Sequence, residues 1–302
     1  MWTSRCHSGD VGSPASPAEL AQALARTGYL ADEGLATAGY LALRLGRPLF
    51  LEGDAGVGKT AFASALAEVT GAYFVRLQCY EGLDAAQALY DWDFPRQLLH
   101  LRTVEAAAVA TGDKPDRSDL EASLYDRRFL LARPLLQALE RSPTVLLVDE
   151  VDRADDEFEA FLLEVLADAA ITVPELGRIV AEQPPLAVLT SNRTREVHDA
   201  LKRRCLYHWV EHPGFEREVA ILRVRLPEVT DRLAQDVARA TRRMRELDLI
   251  KPPGVAESLD WAAALTALGA RSLDPDLAAA TLGAVLKYRE DTERVLAAPP
   301  WT

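Results

Sequence analysis

The chain has 302 residues, of which 49% are hydrophobic, so it can bury a sizeable core in one large domain or two ordinary ones. Its formal net charge of -12 argues against non-specific nucleic-acid binding, because proteins that bind the phosphate backbone normally carry a basic patch. Its apolar runs are shorter than the ~20 residues that a membrane span needs, so no membrane partner is expected.

The N-terminal segment and the cysteines limit the class of protein further. Residues 8–17 are rich in Gly, Ser, Pro and Ala, and the apolar stretch of a secretory signal is absent, so we expect a flexible segment over 1–17. The cysteines are too far apart for a metal site or a disulfide framework, and the histidines have no ligand spacing. A cytoplasmic protein is expected, with incidental thiols at Cys6, Cys79 and Cys205.

Five short apolar runs in the first two thirds of the chain are typical of buried strands. They span 48–52, 72–77, 144–149, 186–190 and 205–210. Helical periodicity precedes and separates them, at 18–27, 33–45, 59–70 and 157–169. Strands that alternate with helices predict an α/β fold with a central parallel five-stranded sheet, covered by helices on both faces.

The strand patterns stop near residue 215. Helical patterns then fill 217–225, 229–247, 256–268 and 276–289. The sequence therefore predicts an α/β domain over 18–212 and a small all-helical domain over 213–302. Within the first domain, the polar stretch 111–118 predicts an exposed loop.

A glycine-rich segment joins the first predicted strand to the next helix and fits the pattern G-x-x-x-x-G-K-[ST]. It consists of Gly53, Asp54, Ala55, Gly56, Val57, Gly58, Lys59 and Thr60. In this context the loop N–H groups and the positive end of the helix cradle phosphates. We expect Lys59 to reach the β- and γ-phosphates of ATP, and Thr60 to bind Mg2+.

Two acids, Asp149 and Glu150, end the third predicted strand. Asp149 is placed to hold Mg2+ through water, and Glu150 to orient and polarise the water that attacks the γ-phosphate. The plainer alternative is a strand-end acidic pair that caps the next helix. The strand over 72–77 separates the two motifs in sequence. That order, together with Glu150, favours the hydrolytic P-loop proteins with an added central strand.

Three further polar residues are candidates for the same chemistry. Asn192 follows the strand over 186–190, where its amide could hold the attacking water or sense the γ-phosphate; a turn-forming Ser-Asn pair is the alternative. Arg203 and Arg204 end a short helical pattern before the last strand. Either could act as an arginine finger supplied in trans, and Arg204 is favoured because it directly precedes the strand. A surface basic cluster is the alternative.

The order of these motifs resembles that of the AAA+ ATPases, and among them the MoxR family, over most of the chain. The resemblance is carried by segments 28–33, 45–53, 149–154 and 171–179. It implies an AAA+ core in which a helix insertion, near 80–127, separates the second and third strands. It also implies a Walker B role for the acidic pair and a C-terminal helical lid.

Three other segments, 76–84, 89–93 and 251–257, resemble the CoxD-type branch of that family. Members of this branch are associated with maturation of molybdenum-containing carbon monoxide dehydrogenase and related hydroxylases. The resemblance implies a homo-hexameric ring, a von Willebrand A-domain partner and a metalloenzyme client.

One position departs from the family pattern. AAA+ proteins often carry a sensor-2 arginine at the start of a lid helix, and the corresponding stretch here, 254–259, has Glu257 instead. Coupling of the lid to the γ-phosphate is therefore expected to use another arginine or to be weaker.

Three functions fit these motifs. The resemblance implies an ATPase that remodels or matures a metalloenzyme, with the 80–127 insertion and a hairpin at 171–184 moving against the client. A nucleic-acid motor or loader would use the same core, but the acidic chain argues against it. A nucleotide-gated switch with negligible turnover is the third, and Glu257 motivates it.

Overall fold

The computed structural model describes residues 14–111 and 116–301. Most of the predicted flexible segment, including Cys6 and His7, lies outside the described residues. The strands in the described ranges are β1 (Leu49–Glu52), β2 (Tyr73–Gln78), β3 (Tyr90–Trp92), β4 (Leu130–Ala132), β5 (Thr144–Asp149), β6 (Ala170–Val173), β7 (Gly177–Val180), β8 (Leu186–Ser191) and β9 (Leu206–Trp209).

The α-helices in the same ranges are α1 (Pro17–Arg26), α2 (Glu33–Leu45), α3 (Lys59–Thr70), α4 (Ala85–Leu89), α5 (Phe94–Thr111), α6 (Arg117–Leu124), α7 (Pro134–Glu140), α8 (Asp156–Asp168), α9 (Asp199–Arg204), α10 (Phe215–Arg225), α11 (Asp231–Arg245), α12 (Val255–Ala267), α13 (Pro275–Ala280), α14 (Leu282–Val285) and α15 (Arg289–Ala297). Several begin where a side-chain oxygen accepts a backbone N–H of the first turn, which fixes the start of the helix. The capping residues include Asp32, Asp84, Asp155, Thr230 and Asp274.

The five predicted strands form one parallel sheet, in the order β2–β5–β8–β1–β9, which confirms the predicted fold class. Strand β8 lies between β1, which leads into the glycine-rich loop, and β5, which ends in the acidic pair. This is the added central strand that the motif order favours. Because the strands are parallel, their carboxyl ends meet at one edge of the sheet.

Apolar side chains of the inner strands alternate between the two faces of the sheet, as the strand period of two requires. Leu49, Leu51 and Leu147 pack on one face against α1, α2 and α3. Phe50 and Val148 pack on the other face against α7, α8 and α9. Both faces are covered by helices, so the inner strands are buried along their length.

The chain between β2 and β5 contains the region near 80–127 where the resemblance implies a helix insertion. It holds α4, the antiparallel pair β3–β4, α5, α6 and α7. The predicted loop over 111–118 overlaps helices at both ends, because α5 continues to Thr111 and α6 begins at Arg117. Residues 112–115 lie outside the described ranges. Strands β6 and β7 form the antiparallel hairpin that the resemblance implies.

The elements after Val210 are helices, packed around the buried Trp261. One prediction here is wrong in extent, because the helix expected over 276–289 is divided into α13, α14 and α15. The chain leaves the helix twice, at 281 and at 286–288. At the first break the Thr281 hydroxyl donates to the Leu277 carbonyl and accepts the Trp261 Nε1–H. Such side-chain hydrogen bonds compete with helix continuation. The boundary near residue 212 stays a prediction.

Two of the cysteines lie in the described part of the chain, and both are buried free thiols. Burial raises the pKa of Cys79 and of Cys205 to about 12, so neither thiol ionises near neutral pH. Among the described residues, no helix is both long and apolar enough to cross a bilayer.

Candidate functional site

The glycine-rich loop adopts a backbone shape that side chains would prevent. Gly56 and Gly58 have φ of +78° and +98°, a left-handed conformation that glycine adopts without strain. A Cβ at Gly56 would also lie 2.6 Å from Glu257 Oε2, and a Cβ at Gly53 would collide with the Val210 carbonyl. The loop therefore fits closely between the end of β9 and the start of α12.

Lys59 is buried at the start of α3, with its ammonium turned into the loop. Its Nζ donates to the carbonyls of Gly53 and Asp54, both at 2.7 Å, and to Asn192 Oδ1 at 2.8 Å. Burial lowers the pKa of Lys59, and neighbouring carboxylates, Asp54 first, oppose that shift. The ammonium is thus held by three oxygens at the phosphate loop.

Thr60 and Asp149, the two predicted metal ligands, lie in contact. The Thr60 hydroxyl is 3.1 Å and 3.2 Å from the two carboxylate oxygens of Asp149. The Thr190 hydroxyl donates to Asp149 Oδ1 at 2.5 Å, and Arg76 Nη2 lies 2.6 Å from Oδ2. One carboxylate and one hydroxyl suit Mg2+, which keeps several waters and takes its remaining ligands from substrate phosphates.

Glu150 has a backbone conformation that is uncommon for a residue with a side chain. Its φ is +54°, and such strain tends to occur at functional sites. Its Oε1 accepts from Asn192 Nδ2 at 3.0 Å. Its Oε2 accepts from Gln78 Nε2 at 3.1 Å and lies 3.0 Å from Arg153 Nε. The carboxylate is therefore held beside the loop by three donors from different elements.

Asn192 links the two charged groups of the site. Its carbonyl oxygen accepts from Lys59, and its amide nitrogen donates to Glu150. The backbone N–H of Asn192 donates to the buried Asp152 at 3.2 Å, and the Thr194 hydroxyl and N–H donate to the same carboxylate. These contacts fix the turn after β8. The turn therefore does not depend only on the Ser-Asn pair that was considered as the alternative.

Arg203 and Arg204 do not join this cluster. Both end α9, and Leu206 pairs with Leu49 at the far end of β1 from the loop. A strand of that length spans roughly 13 Å at about 3.3 Å per residue. The Arg204 guanidinium donates to the Leu163 carbonyl at 3.4 Å, and the backbone carbonyls of the pair accept from Arg47. A finger role in trans stays a prediction for both.

Glu257, at the position where a sensor-2 arginine was expected, lies at the phosphate loop. Its carboxylate accepts the Gly254 N–H at 3.0 Å and faces Gly56. The next two N–H groups of α12, from Val255 and Ala256, donate to the Gly56 carbonyl at 3.0 Å and 3.2 Å. The start of the helix is thus bonded directly to the loop, with an acid at the contact.

A histidine also joins the helical region to the loop. His212 Nε2 lies 3.2 Å from Asp54 Oδ2. Burial lowers the pKa of His212, the Arg245 guanidinium lowers it further, and Asp54 opposes the shift. Arg245 itself pairs with Glu218 through two contacts of 2.7 Å and donates to the Pro253 carbonyl. It is therefore held in the helical region by these partners.

The predictions from sequence missed several polar contacts of the two acids. They missed Arg76, Gln78, Arg153 and Thr190. One signal could have found two of them: Gln78 and Thr190 lie at the carboxyl ends of strands that flank β5, where parallel sheets place their binding residues. Arg153 is three residues beyond Glu150 in the sequence. Its contact with Glu150 could be found only from the geometry of the turn.

Comparison with known families agrees with this geometry. The family model of the AAA domain (dynein-related subfamily) matches residues 48–205, from the first strand to the end of α9. The chain belongs to this subfamily of AAA domains. Members of the AAA domain family in general bind ATP with Mg2+ and hydrolyse it, which accounts for the phosphate loop and the acidic pair.

Individual relatives are more distant. Midasin of Giardia intestinalis is 36% identical over 117 residues, which cover 35% of this AAA domain chain and 2% of midasin. The chain thus spans a very small part of that curated relative. RuvB, the Holliday junction branch migration motor of Thermotoga maritima, aligns with a TM-score of 0.47 and 16% identity over 90% of this chain and 72% of its own. A mutant of the same RuvB, with glycine in place of one proline, aligns with a TM-score of 0.49 and 17% identity over 89% of this chain and 70% of its own.

Gly254→Ala tests the contact between the helix and the loop. Gly254 has an ordinary φ of -83°, so alanine is tolerated by the backbone, but its Cβ would lie 2.7 Å from the Ala55 carbonyl and 2.8 Å from Gly56 Cα. We expect a loss of about 1–3 kcal/mol in the free energy of unfolding. Affinity for ATP should fall as well, because the loop has to move.

The measurement is urea unfolding together with equilibrium titration of ATP. Gly283→Ala is the matched control, since a Cβ there meets nothing within 4 Å. Equal stability and equal ATP affinity in the two variants would contradict a rigid contact between α12 and the loop.

Proposed function

We propose that this AAA domain protein is a MoxR-type AAA+ ATPase of the CoxD-like branch, which uses ATP hydrolysis to remodel or mature a metalloenzyme. One observation carries the ATPase part of the proposal. Three separate segments of the chain meet here, and hydrogen bonds join Lys59 to Asn192, Asn192 to Glu150, and Thr60 to Asp149. The segments that resemble the CoxD-type branch support the finer part.

The site has the donors that ATP and Mg2+ require. The loop over 53–60 offers backbone N–H groups, and the left-handed backbone at Gly56 and Gly58 gives it the tight turn of a phosphate-binding loop. Thr60 and Asp149 would hold the metal ion, and Lys59 would contact the phosphates. Bound MgATP supplies the γ-phosphoryl group, with the metal ion neutralising part of its charge.

Glu150 is the residue placed to act on water. Its carboxylate is fixed by Asn192, Gln78 and Arg153 and lies next to the metal-binding acid. From this place Oε1 or Oε2 would accept a proton from the attacking water as the water oxygen approaches phosphorus. Asn192 contacts both Lys59, which would bind the phosphates, and Glu150, which would act on the water.

The exposed side of the insertion supports contact with a client. Helix α5 has large apolar side chains in solvent, among them Phe94 at 65% exposure and Val109 at 86%. Leu98 and Leu99 on the same helix are also exposed. Phe94, Leu98 and Leu99 lie within two turns of α5, and grouped exposed apolar side chains often mark interaction surfaces. We propose that α5 contacts the client. The client is a metalloenzyme, and the candidate is a molybdenum hydroxylase of the carbon monoxide dehydrogenase type. The partner is a von Willebrand A-domain protein.

Glu150→Gln tests the hydrolytic role. The amide cannot accept the proton, so turnover should fall by about 10²–10⁴-fold while ATP affinity stays close to that of the wild type. Turnover is measured by phosphate release and affinity by equilibrium titration. Glu293→Gln is the control, since that carboxylate is exposed and pairs only with Arg289 among the partners found in the described part of the chain. Wild-type turnover in Glu150→Gln would contradict the role.

The same variant tests the client. Held with ATP and unable to hydrolyse it, Glu150→Gln should retain client longer than the wild type does. Affinity capture from the native host should then enrich a von Willebrand A-domain protein and hydroxylase subunits, and changing Leu98 and Leu99 to Ser should reduce the yield. If nucleic acid is captured without these proteins, and its yield falls steeply as the salt concentration rises, the result would instead favour a nucleic-acid motor.

Glu257 favours a second candidate, the nucleotide-gated switch, because its carboxylate lies against Gly56 of the loop and has the charge opposite to that of a sensor-2 arginine. The two candidates differ in assembly. Under the ATPase proposal the chain forms a homo-hexameric ring in which Arg204 or Arg203 completes the neighbour's site. Turnover per chain should therefore rise with protein concentration, whereas a switch should show negligible turnover at every concentration.

Mixing two inactive variants gives a sharper form of this test. Arg204→Ala retains its own phosphate loop, and Lys59→Ala retains its arginine, so mixed rings contain intact sites. Each variant alone should lose about 10³-fold or more of its turnover, and the mixture should recover part of it. If Arg204→Ala loses nothing, the same design applies to Arg203→Ala. The absence of recovery with both arginine variants would contradict a site shared between subunits.

A further inference from the structure

The metal-binding acid has a cationic neighbour on the adjacent strand. Arg76 lies on β2, whose register with β5 places Gln78 opposite Asp149. Residues two apart on a strand face the same side, so Arg76 and Gln78 both project toward the acids. Arg76 Nη2 lies 2.6 Å from Asp149 Oδ2. The Arg76 side chain is half exposed, at 50%, whereas that of Asp149 is buried, at 5%.

Arg76 contacts Oδ2, the oxygen of the Asp149 carboxylate that has fewer other close partners. Asp149 Oδ1 accepts the Thr190 hydroxyl at 2.5 Å, and Thr60 is shared between the two oxygens. Arg76 is therefore the close partner of Oδ2, on the carboxylate that the proposed function assigns to Mg2+. A guanidinium and a metal ion at one carboxylate repel each other, and the repulsion is strong where solvent screening is weak.

The same guanidinium is linked to the second acid. Arg76 Nη2 donates to Gln78 Oε1 at 2.6 Å, and Gln78 Nε2 donates to Glu150 Oε2 at 3.1 Å. Arg76 thus orients the amide that holds Glu150. The side chains of one edge strand connect the metal-binding carboxylate with the water-activating one.

We propose that Arg76 is a positioning residue that competes with Mg2+ for Asp149 and couples metal binding to the orientation of Glu150. When Mg2+ engages Asp149, the half-exposed guanidinium moves off Oδ2 toward solvent. Its hydrogen bond to Gln78 weakens with that movement, and the Gln78 amide then loosens its hold on Glu150. This inference rests on the proposed ATPase function, in which Asp149 is a metal ligand.

The test measures how strongly Mg2+ improves ATP binding. A fluorescent ATP analogue is titrated into the full chain with EDTA and then across a series of Mg2+ concentrations. The ratio of the two dissociation constants gives the coupling between metal and nucleotide. In Arg76→Gln the ratio should rise by about tenfold, because Mg-free ATP loses a nearby cation and Mg2+ loses a competitor. The Mg2+ concentration for half-maximal turnover should fall as well.

Three variants make the result specific. Arg76→Met keeps the apolar stem of the side chain and should behave as Arg76→Gln does, also where the more polar variant is poorly folded. Arg76→Lys keeps the charge and should stay near the wild-type ratio. Arg133→Gln is the matched control, since Arg133 pairs with Asp91 at 3.2 Å with both side chains about half exposed, away from the acids. Its ratio should be that of the wild type.

The outcomes separate this inference from the proposed function. An unchanged or smaller ratio in both Arg76→Gln and Arg76→Met overturns the competition, even if the wild type is an active Mg2+-dependent ATPase. A rise of the same size in Arg133→Gln also overturns it, since the effect would then be one of general charge. A wild-type chain whose ATP affinity does not respond to Mg2+ overturns the metal role of Asp149, and the role of Arg76 with it.

Discussion

The amide of Asn192 lies between a buried ammonium and a partly buried carboxylate, and it keeps those two charges apart while bonding to both. Lys59 Nζ is 2.8 Å from its oxygen and Glu150 Oε1 is 3.0 Å from its nitrogen. A direct pair between Lys59 and Glu150 would neutralise the charge that each needs toward a phosphate or a water. A neutral amide satisfies their hydrogen bonds and leaves the charges in place.

The amide can do this only because its backbone is fixed. Asp152 is buried and accepts N–H groups from the turn after β8, including that of Asn192. Strand β8 is central in the sheet and pairs on both sides, so its carboxyl end has little freedom. The site thus depends on the parallel register of the inner strands, which brings the glycine-rich loop, the acids and Asn192 to one edge.

The sequence predicted the parts of this site that lie in local motifs. The phosphate loop, the acidic pair and the five strands follow from residue type and spacing, because buried strands need short apolar runs and a phosphate loop needs glycine. The contacts of Arg76 and Gln78 depend on which strand lies beside β5, and strand order is not a local property. The break at Thr281 depends on a partner, Trp261, that is distant in sequence.

The charges around the loop affect how the site could respond to a bound nucleotide. The carboxylates of Asp54, Asp152, Asp149 and Glu150 all raise the pKa of Lys59 against the effect of its burial. Arg76 is engaged with the acids, so it offsets carboxylate charge rather than phosphate charge. A triphosphate adds more negative charge to this edge. In the proposed function, Mg2+ would supply part of the compensation, and an arginine from a neighbouring chain would supply more of it and leave the acids free to act.

Strand β2 is at the edge of the sheet, and the loop over 79–84 joins its carboxyl end to α4 in the insertion. The Cys79 N–H donates to the Asp149 carbonyl at 2.9 Å, so a force on the insertion that shifts the end of β2 reaches the acids through hydrogen bonds. An edge strand can shift at lower cost than an inner one, because it breaks hydrogen bonds to one neighbour only.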